Sequence, residues 1–363
     1  MKTDSCADLK PEASHLEHLD KYDVLTLIRA SRSVLLNERL KNQIENNLRE
    51  RNCIKDLLEL ESIEHDAEIQ NNIGLCYDYG LCGTQEDKKT AFDWFKKSAE
   101  QEYAVAQYNL GYCYNNGNGC EKDENKAFEW YIKSAEQGFS LAQNNLGSCY
   151  AEGTGCTKDY KKAFEWYMKA AKQGFAIAQV NVAEYYALGR GCEKDETKTF
   201  EWYMKSAKQE YAAAQFYLGI CYEKGIGCEE DNSRAFEWYK KSAEQECAEA
   251  QNGLGLCYEN GIGCEKDENK AFEWYMKSAK QGLVIAQYIL GRYYYEGTGC
   301  EKDEKKAFKW YKKAAEQGYY EALYVLGNLY YQGNGCVKNE KKSILLAQKI
   351  SRTWECTISI YSR

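Results

Sequence analysis

The chain has 363 residues, of which 44% are hydrophobic and 14% aromatic, and a formal net charge of −8. That is too apolar for a disordered chain, while a mean hydropathy of −0.72 and the lack of any long apolar run exclude a bilayer-spanning helix. The charges alternate in sign, as in EKDENK and KKSAEQ, so there is no basic stripe and nucleic acid is not an expected partner.

From the N-terminus, residues 1–20 are polar and mixed in charge and are expected to form a disordered tail. They contain neither the apolar core of a signal peptide nor the Arg-rich composition of a transit peptide, so a cytoplasmic location is expected. His15 and His18 stand as His-x-x-His, and His65 is the only other histidine. With no Cys or carboxylate pattern around them, the first two read as a solvated pair rather than a metal site. Residues 21–65 read as a helical N-terminal region. Its last stretch, CIKDLLELESIE at 53–64, aligns with the second helix of the repeats that follow, with Ile54 at their Ala position, and is expected to cap the first of them.

From residue 66 the chain repeats itself every 36 residues. Ala-Phe or a variant falls at 91, 127, 163, 199, 235, 271 and 307, with Trp three residues later each time. Gly-x-Gly-Cys ends at Cys120, Cys156, Cys192, Cys228, Cys264, Cys300 and Cys336. Each unit predicts two helices. In the first, typified by AVAQYNLGYCYNNG (104–117), Ala106, Leu110, Cys113 and Tyr114 share one side. In the second, DENKAFEWYIKSAEQG (123–138), Ala127, Trp130/Tyr131 and Ser134/Ala135 form an apolar stripe between an Asp123 cap and a Gly138 stop. Gly111, Ala127 and Ala135 are small enough to let neighbouring helices approach. The body contains no proline, since the one Pro is Pro11. A single helix pair cannot bury its apolar face, and stacked copies can. The array is expected over 66–354, with an eighth repeat whose second half is degenerate, and a C-terminal tail at 355–363.

The pattern A-x-A-Q-x-x-L-G-x-x-Y-x-x-G-x-G-x-x-x-D-x-x-K-A-x-x-W-Y-x-K-(S/A)-A-x-Q-G resembles that of Sel1-like repeat proteins, relatives of the tetratricopeptide repeats. Repeat four departs from it at Val182-Ala183-Glu184 and Thr199, and Glu102, Glu210 and Glu246 replace the stop glycine. The resemblance implies an all-α fold, a right-handed superhelical α/α solenoid of about eight 36-residue helix-turn-helix repeats. It also implies a non-catalytic scaffold or adaptor that binds a protein or peptide partner, with no cofactor.

Three readings compete for the 17 cysteines. Cys113/Cys120, Cys149/Cys156, Cys221/Cys228 and Cys257/Cys264 recur seven apart and invite disulfides. However, Tyr185, Tyr293 and Leu329 replace the first member where Cys192, Cys300 and Cys336 remain. A cysteine with so replaceable a partner behaves as a small core hydrophobe, which is the favoured reading. Zinc would need a cluster such as C-x-x-C, and there is none. The alternative is a lumenal or secreted, disulfide-linked adaptor in protein quality control, as some Sel1-like proteins are. No P-loop, nucleophile elbow, HExxH or kinase signature occurs, and no histidine stands in the repeats, so no enzyme is expected.

Positions that vary between repeats locate a candidate surface. One row is Tyr108, Asn144, Val180, Phe216, Asn252, Tyr288 and Tyr324; four residues on lies Tyr112, Ser148, Glu184, Ile220, Leu256, Arg292 and Asn328. The spacing puts both rows on one helix face, expected to point away from the Leu110/Tyr114 core side. By resemblance that face lines a concave surface. Tyr108, Tyr112, Phe216, Ile220, Leu256 and Tyr288 are apolar where a solvated face favours charge. A partner-binding groove centred on repeats five to seven is therefore expected, with Arg292 as its polar anchor. The apolar C-terminal end of the array is a second surface, able to stack on another molecule.

Overall fold

The computed structural model describes residues 64–348, together with Ile54 and Leu58. The expected tails at 1–20 and 355–363, and the rest of the N-terminal helical region, lie outside the described residues. The chain divides into two compact units, 1–175 and 176–363. In the first, the described helices are α1 (Ala67–Tyr79), α2 (Lys88–Glu100), α3 (Ala104–Asn116), α4 (Glu124–Glu136), α5 (Ser140–Glu152) and α6 (Tyr160–Lys172). In the second they are α7 (Ala176–Leu188), α8 (Glu196–Ala207), α9 (Ala212–Lys224), α10 (Asn232–Glu244), α11 (Ala248–Asn260), α12 (Glu268–Lys280), α13 (Val284–Glu296), α14 (Glu304–Glu316) and α15 (Tyr320–Gln332). Among the described residues there is no strand. The fold is all-α, built of stacked helix pairs with the 36-residue spacing.

The caps explain where each helix starts and stops. Every even-numbered helix begins at an aspartate whose carboxylate accepts backbone N–H groups; Asp123 takes Lys126 N–H at 3.0 Å and Asp267 takes Lys270 N–H at 3.0 Å. Asn339 plays the same part in the eighth repeat, taking Lys342 N–H at 3.0 Å. The odd-numbered helices from α3 onward have no such side-chain cap where the cap is described. Their cap positions hold apolar residues such as Tyr103 and Leu283. The second helices stop at a residue with left-handed backbone, Gly138 in repeat two. A Cβ on Gly138 would meet nothing within 4 Å, so backbone conformation alone favours glycine there. Glu102, Glu210 and Glu246 adopt the same conformation, at φ 62°, 62° and 65°, without glycine's freedom.

Within a repeat, the second-helix tyrosine lies on the first-helix glycine. A Cβ on Gly255 would stand 2.8 Å from the Tyr275 ring, so only glycine lets the ring sit this close to the helix. A hydroxyl completes the pairing where it is present: Ser278 Oγ donates to Ala248 O at 2.7 Å, and Ser134 Oγ to Ala104 O at 2.6 Å.

Between repeats, three contacts recur inside each unit. The Phe of one second helix meets the Tyr of the next first helix edge-on, as in Phe236–Tyr258 at 5.4 Å and 90°. Such ring pairs are worth about 0.5–1.5 kcal/mol beyond their burial. The buried Gln of A-x-A-Q links three helices. Gln251 Nε2 donates to Ala243 O of the preceding repeat at 3.3 Å, and its Oε1 accepts from Gln281 at 2.9 Å. Leu323 replaces this Gln in the eighth repeat and packs as a buried apolar residue. Finally, the loop glycine Gly227 abuts the first turn of α8.

The loop cysteines have a partner that the sequence comparison does not show. Cys156 Sγ donates to Cys149 O at 3.4 Å, Cys192 Sγ to Tyr185 O at 3.5 Å, and Cys336 Sγ to Leu329 O at 3.5 Å. The acceptor is a backbone carbonyl, which every residue supplies. This explains why Tyr and Leu can stand seven residues before a retained cysteine. The described cysteines are free thiols, and burial pushes Cys149, Cys221 and Cys257 up to about 12.

At the N-terminal end, Ile54 is helical and buried against the first repeat, and its N–H donates to Cys82 O at 3.1 Å. Leu58 is helical and exposed.

Candidate partner-binding groove

Residues 216–285 of the second unit form an open groove of about 320 Å³. Its apolar lining comes from Phe216 and Ile220 of α9, Leu256 of α11, Ile262 of a loop, and Leu283 and Ile285 at the start of α13. Leu256 and Ile285 remain 39% and 43% exposed, large for aliphatic side chains beside a packed core. Glu223 and Lys224 of α9 and Glu249 of α11 supply charge, and Asn252 follows Glu249 by three residues on α11.

The structure brings Phe216, Ile220 and Leu256 together here. Tyr288 does not line the groove; it packs on Tyr311 at 5.6 Å and Tyr319 at 5.2 Å. Tyr108 and Tyr112 belong to the first unit. Tyr108 packs on Tyr131 and Phe139, at 5.8 and 5.4 Å, while Tyr112 is exposed. The first variable row thus lies deeper than its spacing suggests: Val180 and Asn144 are buried, and Phe216 is half-buried with its ring 5.8 Å from Tyr239. Tyr324, in the same row, is exposed, so variation along the row does not by itself report exposure.

Arg292 is committed to Glu259, 33 residues away in the preceding repeat, through Nη2 and the Glu259 Oε1. Glu259 Oε2 accepts from Tyr275 O–H at 2.7 Å. Burial, with the Glu259 carboxylate next in effect, raises Tyr275 far above the phenolic range, so it stays a donor. Glu259 follows Leu256 by one turn on α11, so this ion pair lies beyond the leucine along that helix.

The sequence comparison missed Glu223, Lys224, Glu249, Ile262, Leu283 and Ile285. A signal existed for Glu249 and Ile285, since Val105, Leu141, Ile177, Ala213, Glu249, Ile285 and Glu321 form a third variable row. The spacing i, i+3, i+7 in 249, 252, 256 puts it on the same face as the other two.

Comparison with known proteins fixes the family. The Sel1 repeat pattern matches residues 67–103, 104–139, 140–175, 176–211, 212–247, 248–283, 284–319 and 321–352. The chain belongs to the Sel1 repeat family. The crystal structure of c5321, a protective antigen of uropathogenic Escherichia coli displaying an SLR fold, is similar at 35% identity and a TM-score of 0.69, over 83% of this chain and 64% of that one. A Sel1 repeat protein from Oxalobacter formigenes is similar at 33% identity and a TM-score of 0.62, over 68% of this chain and 96% of that one. The sel1-like repeat-containing protein L21 of Acanthamoeba polyphaga mimivirus is 45% identical over 51 residues, which is 14% of this chain and 9% of that protein. This chain thus spans less than two thirds of the length of the E. coli and mimivirus proteins.

No group of three or more His, Cys, Asp or Glu among the described residues is placed to hold a metal ion. No helix among them is long and apolar enough to cross a membrane. The eighth Sel1 repeat exposes Tyr324, Tyr331, Val337, Ile344 and Leu345. Residues 349–363, which follow this apolar end, lie outside the described residues.

Proposed function

We propose that this Sel1 repeat array is a non-catalytic scaffold in the cytoplasm and holds a protein or peptide partner in the groove of repeats five to seven. The observation that carries the reading is the uncovered aliphatic surface of Leu256 and Ile285 over the half-buried Phe216 and Ile220. Apolar side chains grouped in a concavity with a charged edge are the anatomy of a protein-binding surface.

Exposure decides how to test it. Phe216 and Tyr288 support second-helix tyrosines, so truncating them would disturb packing. Leu256→Glu with Ile285→Glu changes the surface while leaving those contacts in place. Affinity capture from native lysate is expected to retain a set of proteins with wild type and lose it with the double variant, at an unchanged melting midpoint. Retention of the same set by both would exclude this groove as the binding site.

The cytoplasmic part of the reading has its own test. Denatured, freshly purified protein kept from air is expected to titrate with all 17 thiols. A shortfall in multiples of two would point instead to an oxidising compartment.

A further inference from the structure

The scaffold reading leaves open what chemistry the groove selects, and three observations there converge. The first is its aliphatic lining at Ile220, Leu256, Leu283 and Ile285. The second is charge. Glu223 and Glu249 both line the groove, and neither has an ion-pair partner among the described residues. Glu223 accepts only from a neutral donor, Tyr239 O–H, and Glu249 only from the Cys247 thiol at 3.4 Å. Lys224 is the one cation in the lining. The nearby Arg292 is neutralised by Glu259. Two carboxylates thus stand against one ammonium around an apolar floor. The third is Asn252, whose Oδ1 is buried without a hydrogen-bond donor and belongs to the same lining. A buried acceptor left without a donor costs about 1–3 kcal/mol, which a bound N–H would recover once the Asn252 amide turned outward into the groove.

We propose that the groove selects an extended peptide segment bearing an aliphatic side chain next to Lys or Arg. The aliphatic group enters among Ile220, Leu256 and Ile285. The cation meets Glu249 and Glu223. The Asn252 amide turns into the groove, and a backbone N–H donates to its Oδ1. The backbone requirement distinguishes this occupant from an amphipathic helix, whose interior N–H groups are already bonded within the helix. An acidic peptide would bring like charge against the two carboxylates, and a purely polar basic peptide would leave the aliphatic lining wet.

This inference rests on the scaffold reading, and its test separates the two. The probes are short, capped, fluorescein-labelled peptides of alternating Leu and Lys, of Leu and Glu, and of Ser and Lys, titrated by anisotropy against the full chain. The Leu/Lys peptide is expected to bind at least about tenfold more tightly than either of the others. Glu249→Lys, an exposed position, is expected to weaken it about tenfold. Asn252→Val is expected to weaken it several-fold, and Val180 shows that the repeat accommodates valine at this position. N-methylation of the Leu/Lys backbone in wild type should reproduce the Asn252→Val loss and add nothing to it. Circular dichroism and melting midpoints check that each variant is folded.

Several results would overturn the inference. They are no binding of the Leu/Lys peptide, equal binding of the Leu/Glu or Ser/Lys peptide, or wild-type affinity in folded Glu249→Lys. Loss of lysate partners in Leu256→Glu/Ile285→Glu but not in Glu249→Lys would keep the scaffold reading and overturn this selectivity.

Discussion

Replacing Gly227 by Ala is expected to break the stack between repeats four and five. Gly227 has φ +67°, where a side chain is strained, and an added Cβ would stand 2.0 Å from Glu196 O and 3.0 Å from Phe200 Cβ. The first contact is with backbone at the start of α8, which cannot rotate away as a side chain could. Left-handed strain of about 1–2 kcal/mol and overpacking of about 1–3 kcal/mol sum to roughly 2–5 kcal/mol. In a repeat array the loss is local to one interface, so it appears as lost cooperativity. Urea unfolding should become broader or biphasic, and limited proteolysis should cut near 225–230. A single transition at the wild-type midpoint would refute the clash. Glu246→Gly, a few residues further on, should act in the opposite direction. It relieves a left-handed Glu at φ 65° and is expected to stabilise by about 0.5–1 kcal/mol, after the greater freedom of Gly in the unfolded chain is subtracted.

Tyr275→Ala is expected to be comparably severe, for a different reason. Tyr275 is fully buried, lies on Gly255, and donates to the carboxylate that holds Arg292. Removing the ring leaves a cavity worth about 3–5 kcal/mol. Tyr275→Phe keeps the ring and removes only the hydroxyl, at about 1–2 kcal/mol. The difference between the two variants, read from denaturation midpoints, separates packing from the polar contact. Equal losses would mean that the hydroxyl, not the ring, matters here.

Much of this architecture is legible in the sequence because the repeat is its own control. The aspartate caps, the left-handed glycines and the Ala/Leu/Tyr core recur with the 36-residue period in most repeats, and each has a local physical reason. What the period hides is compensation between side chains. Phe216 and Tyr288 vary between repeats yet pack on Tyr239 and Tyr311, so variation there does not report exposure. Arg292 reads as a free anchor until Glu259, in another repeat, is found paired with it. The cysteine spacing suggests two sulfurs meeting, whereas the acceptor is a carbonyl that no alignment of side chains can reveal. The groove itself is only half legible, because Glu249 and Ile285 belong to a third variable row and Glu223, Lys224, Ile262 and Leu283 to none of the three.

The most direct test of the scaffold account is side-chain footprinting of the array with and without its captured partner. Hydroxyl-radical labelling of Leu256 and Ile285 should fall several-fold in the complex, while exposed Tyr324 and Tyr331 on the eighth repeat should label as before. Unchanged labelling at Leu256 and Ile285, with protection elsewhere, would contradict the account.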